Sequence, residues 1–91
     1  MVSIKDEEIE DWILDKLSRK RLWGPKHTSI DNLHKGAPIH LAGKINEVAE
    51  NLIKKGLIIA KPTHYGSEVS LNFARREEIF SIIEKWKLGK K

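Results

Sequence analysis

The chain has 91 residues, no cysteine, and 17 lysines and arginines against 13 aspartates and glutamates, for a formal charge of +4 at neutral pH. A chain this short supports one hydrophobic core and is expected to form one domain over residues 1–91. The lack of cysteine excludes disulfides, thiolate zinc sites and a cysteine nucleophile, and no run of about 18 apolar residues is present to span a bilayer.

With 40% hydrophobic and 33% charged residues, the composition is that of a folding chain, not a disordered one. The N-terminal stretch MVSIKDEEIEDW is acidic where a secretion signal would be basic and then apolar, so an intracellular, cytoplasmic location is expected. Asp6 to Asp15 carries six acids and no base, whereas Lys16 to Lys26 carries five bases and no acid. Two readings fit that polarity: acids and bases complementing the dipole of one helix, or a basic patch at Arg19, Lys20 and Arg21 that meets phosphate.

Helical spacing of Ile9, Trp12, Ile13 and Leu17 predicts a first helix from about Ile4 to Ser18, with Ser3 as its cap and Asp6 in a capping-box relation. Gly24-Pro25 then breaks the chain, and Trp23 is expected to pack there as a plug. TSIDNLHKG, 28–36, reads as a short second helix capped by Thr28 and stopped by Gly36, with Asp31 in the capping-box position. Pro38 suits the first position of a third helix running to about Lys55, with Gly56 as its stop. Leu41, Ile45, Val48 and Leu52 define the buried face of that helix.

The period then changes. Leu57 to Ala60 reads as a strand, 61–68 as a turn-forming loop, and Val69 to Leu71 as a returning strand. Asn72 caps a last helix whose inner positions are Ile79, Ile82, Ile83 and Trp86. The expected core covers about residues 4–87, with a short basic tail at 88–91.

This order of elements, and above all NEVAENLIKKGLIIAKPTHYGSEVSL, resembles the winged helix-turn-helix family as found in small archaeal and bacterial DNA-binding proteins. The resemblance implies an α+β, mostly α fold: a three-helix core, a β-hairpin wing and a C-terminal helix. It also implies double-stranded DNA as partner and a role in transcription regulation or chromosome association, with the third helix in the major groove and the wing on the backbone. Many winged helices bind only proteins, so a protein-interaction module in a replication, transcription or RNA-processing assembly is the alternative.

On the DNA reading, His40 and Lys44 can donate to phosphate or guanine, Asn46 to an adenine edge, and Glu47 can accept from cytosine, whereas Glu47 and Glu50 repel phosphate. Gly43 asks for a reason inside a helix: close approach of DNA or of the second helix, or a helix that begins later. Lys54 adds charge at the far end. Lys26 and His27 are expected at the N-terminus of the second helix, where free N–H groups favour an anion. The wing offers Lys61, His64 and Tyr65 to phosphate and sugar. For each of these residues, ordinary solvent exposure is the competing reading.

Nothing in the sequence points to an enzyme. The four histidines lack metal-ligand spacing, no glycine-rich phosphate loop is present, and neither a cofactor nor a metal is expected. Trp12, Trp86 and Leu88, on the terminal helices, are candidates either for core packing or for a homodimer interface.

Overall fold

The computed structural model describes residues 5–64 and 66–89. Its described part is α+β and mostly helical, with a small three-stranded antiparallel sheet. Helix α1 spans Asp6–Arg19, strand β1 Thr28–Ser29, helix α2 Ala42–Lys54, strands β2 and β3 Ile58–Thr63 and Gly66–Leu71, and helix α3 Arg76–Gly89. No described helix is long and apolar enough to cross a membrane.

Helix α1 carries Asp6, Glu7 and Glu8 in its first turn and Lys16 and Arg19 in its last, so its side chains complement the helix dipole at both ends. The extended residue before it is Lys5, which caps nothing with its side chain. Ser3 and Ile4, the expected cap and start, lie outside the described residues. The helix stops before Gly24-Pro25, by backbone geometry at Arg21, whose φ is +58°. There the Arg21 N–H donates to the Ser18 carbonyl at 2.9 Å and the Leu22 N–H to the Leu17 carbonyl at 3.0 Å. That pairing closes a Schellman motif with arginine in the left-handed position usually held by glycine.

The segment expected as a second helix is different. Thr28 pairs with Val69 and Ser29 with Glu68, so both residues are extended as strand β1. A single 3-10 turn, Ile30–Asn32, follows, capped by the Ser29 hydroxyl and not by Thr28, which instead accepts from Asn32 Nδ2 at 2.8 Å. Tertiary strand pairing has overridden a local cap signal that Thr28 and Asp31 would equally well have served.

Pro38 is extended and precedes a 3-10 turn, Ile39–Leu41, so it is not the first residue of the helix; α2 proper begins at Ala42. Ile45, Val48 and Leu52 are buried as expected, together with Ala49, while Leu41 is only half-buried. At the far end Gly56, at φ +80°, donates to the Ile53 carbonyl and Leu57 to the Leu52 carbonyl, a second Schellman stop. Gly56 thereby turns the chain directly into β2.

The hairpin is longer than its sequence predicts. Residues 61–63 continue β2 and 66–68 belong to β3, with Thr63 facing Gly66. Pro62 is tolerated because the strand order β1-β3-β2 makes β2 an edge, where its missing N–H breaks no ladder bond. Asn72 then fixes the exit. Its Oδ1 accepts from the Ala74 N–H at 3.1 Å and its Nδ2 donates to the Gly56 carbonyl at 2.8 Å, tying the start of the last helical segment to the end of α2. Helix α3 runs through Leu88 to Gly89, which removes both from the expected tail; Lys90 and Lys91 lie outside the described residues.

The core is a single cluster between the helices and one face of the sheet. Ile9, Ile13, Leu14 and Leu17 of α1 meet Ile45, Val48, Ala49 and Leu52 of α2, with Leu57 from the junction before β2, Ile58, Val69 and Leu71 from the sheet and Ile79 and Ile83 from α3. Each large side chain buried here contributes about 1.5–3 kcal/mol of transfer free energy. Trp23 packs at the edge of this cluster against Phe80, with ring centroids 5.2 Å apart, and edge-on to Phe73 at 6.3 Å.

Candidate nucleic-acid interface

The start of α2 was expected to present His40, Gly43, Lys44 and Asn46. His40 and Gly43 are exposed, and a Cβ built on Gly43 would meet nothing within 4 Å, so no packing against the 28–36 segment explains the glycine. Lys44 is turned along the surface instead. Its ammonium lies 3.1 Å from Asp6 Oδ1 and 3.6 Å from Glu47 Oε2. The hydrogen bond to Asp6, and the charges of Asp6 and Glu47, hold its pKa above the usual lysine value. Asn46 is half-buried, and its Oδ1 is enclosed with no hydrogen-bond partner among the described residues. Glu47, Glu50 and Lys54 occupy the outer face.

The basic stretch that begins in the last turn of α1 divides into three roles. Lys16 is buried. Arg19 donates to Asp15 at 2.9 Å, and Lys87 of α3 approaches the same carboxylate at 3.7 Å. Lys20, Arg21 and Lys26 are exposed and make no ion pair among the described residues.

Lys26 and His27 precede a strand and not a helix, so the expected anion site at a helix N-terminus does not form there. His27 Nδ1 lies 2.7 Å from Glu68 Oε1, an ion pair when the imidazole is protonated. Lys61 stands opposite Glu68 in the strand register. The fold therefore gathers His27 and Lys61, 34 positions apart in sequence, on either side of one carboxylate on the central strand. His64 and Thr63 are exposed at the hairpin end; Tyr65 lies outside the described residues.

The three dimer candidates separate. Trp12 and Trp86 line one cleft, together with Glu8, Ala37, Pro38 and Leu41. Leu88 is 59% exposed and borders a different groove with Phe80 and Glu84. Phe80 of α3 and Phe73 of the 3-10 turn before it are 51% and 57% exposed, and the Arg76 guanidinium covers the Phe73 ring at 4.4 Å. Neither phenylalanine stood out in the sequence: Phe73 lies in the 3-10 turn before α3 and Phe80 in α3, and what they share is contact with Trp23.

Lys16 is the other residue that the sequence reading missed. Only 8% exposed, its ammonium donates to the carbonyls of Asn32 and Leu33, each at 3.0 Å, and to that of Lys35. It also sits 5.0 Å from the centroid of the Trp12 ring. Burial, and then the neighbouring charges of Lys20, Arg19 and Lys35, lower its pKa. Three carbonyl acceptors converging from one turn, with the Trp12 ring beside them, accommodate this charge, and no sequence pattern announces them. No family model, curated protein or solved structure matches the chain.

Proposed function

We propose that the chain is a winged helix-turn-helix module that binds double-stranded DNA, as a transcription regulator or chromosome-associated factor. Helix α2 would enter the major groove and the β2–β3 hairpin would lie on the adjoining backbone. The observation that carries this reading is the connectivity. Helix, short strand, exposed-faced helix and hairpin follow in order, α2 passes through Gly56 straight into β2, and the sheet runs β1-β3-β2. That arrangement is compatible with a winged helix in which a 3-10 turn stands where the second helix is usually found.

Charge supports the same reading in altered form. Among the exposed cations that could meet phosphate are Lys20, Arg21, Lys26, Lys54 and Lys61, with His64 exposed at the hairpin end as a further hydrogen-bonding group. Lys44 is already engaged by two carboxylates and contributes less. A specific observation favours a second reading, that of a protein-interaction module: Phe73, Phe80 and Leu88 leave apolar surface on α3 and the 3-10 turn before it.

Fluorescence anisotropy on a random duplex, across a salt series, separates the two. A DNA binder loses affinity with a log-log slope of roughly −0.9 per phosphate contact. Lys61→Ala and Lys26→Ala should each weaken binding and flatten that slope by about one contact, while Lys44→Ala has the smaller effect. Absence of binding at about 50 mM salt would sink the DNA reading and leave the interaction module.

A further inference from the structure

The cleft holding Trp12 and Trp86 has a volume of about 300 Å³, at the low end of the range for small-molecule sites. It opens between α1 and the segment that leads into α2. Its walls are apolar, formed mainly by Ile9, Trp12, Pro38, Leu41 and Trp86, and the single charged side chain lining it is Glu8. Glu8 is exposed and makes no ion pair among the described residues.

An adjoining groove shares Glu8 and Trp86 and is also lined by Asp11 and Lys85. Asp11 is held above its usual pKa by burial and then by the nearby charges of Glu10, Glu7 and Glu8, against a smaller opposing effect of Lys55, which pairs with Glu10 at 2.7 Å. The Trp12 indole already attracts the Lys16 ammonium in this fold. We propose that the cleft binds a small organic ammonium ion with a flat apolar body. The body would be enclosed by Trp12, Trp86 and Leu41, and the cationic end would be drawn to Glu8.

An apolar slot bordered by one free carboxylate discriminates by charge: an anion of the same shape meets repulsion, and a neutral analogue gains only the apolar burial. The inference does not rest on DNA binding and is tested without DNA.

The full chain, labelled with nitrogen-15, is titrated with 2-phenylethylamine, 2-phenylethanol and 3-phenylpropionate while the three indole N–H resonances are followed. Those of Trp12 and Trp86 should move, that of Trp23, which packs against Phe73 and Phe80 instead, should not, and the amine should bind most tightly. Glu8→Gln, at an exposed position, should weaken the amine by up to about fivefold and leave the alcohol unchanged.

Three results would overturn the proposal. One is no movement of Trp12 and Trp86 with the amine, and another is the propionate binding as well as the amine. The third is movement of both indoles on simple dilution, which would mean that a second copy fills the cleft.

Discussion

Lys16 donates to the Leu33 carbonyl at 3.0 Å across seventeen residues, and through it α1 holds the turn that precedes α2. Replacing Lys16 by methionine keeps the length of the stem but takes the side-chain donor from three carbonyl groups, of which that of Asn32 still accepts from the Lys35 N–H at 3.3 Å. The expected cost is about 2–3 kcal/mol, a drop in Tm on the order of 10 °C, measured by thermal unfolding. The pH dependence has a definite sign. Because burial lowers the pKa of Lys16 in the folded chain, the unfolded chain holds the extra proton between that lowered value and 10.5, and this group's contribution to stability rises with pH across that window. The rise should be missing in Lys16→Met.

Arg21→Gly should stabilise the chain. An L-residue in the left-handed region costs roughly 1–2 kcal/mol, part of which glycine returns as unfolded-state entropy, so the net gain is up to about 1 kcal/mol. Since the Arg21 side chain is exposed, the same substitution should weaken DNA binding if the cation meets phosphate. Chemical denaturation and anisotropy on one variant therefore read the two roles of this residue separately.

Gly43→Ala addresses what a glycine is doing in the first turn of α2. A methyl group there meets no neighbour within 4 Å, so the substitution should raise stability by about 0.5–1 kcal/mol. If α2 approaches a DNA backbone closely at this point, affinity falls although the fold is firmer. Unchanged affinity would move the contact further along the helix.

Asp11→Asn is expected to stabilise at neutral pH by less than about 1 kcal/mol, given the partial exposure of the side chain. Burial, and then Glu10, Glu7 and Glu8, raise the Asp11 pKa above 3.8, so the folded chain holds the extra proton between 3.8 and that raised value. Stability contributed by this group falls as pH rises through the window, and the penalty is complete above it. Unfolding midpoints of the two proteins should converge as the pH is brought below 3.8.

Much of the architecture was readable because it rests on local signals. The spacing of Ile45, Val48 and Leu52 gave α2 its buried face, Gly56 its stop and Asn72 the last cap, and each is fulfilled by atoms close in sequence. The 28–36 segment was not readable, because what makes Thr28 and Ser29 extended is β3, some forty residues later. Pro62 and Gly66 looked like loop residues because a sequence does not say which strand will be an edge. The candidate interface fared in the same way. Lys44 has a helical address, but its direction is decided by Asp6 on another helix, and the link between His27 and Lys61 exists only once Glu68 stands between them.

Pro62 has a consequence beyond the hairpin. A six-residue edge strand with residues 59–63 all exposed is a template onto which another chain could add its own strand. In β2 that template is broken from within: Pro62 offers no donor and Lys61 beside it brings a charge that an incoming strand would have to accommodate. The same two residues that shape the tip of the molecule therefore keep a lysine-bearing surface open to solvent, so that what it meets is chosen by charge and not by the indiscriminate hydrogen bonding of a bare sheet edge.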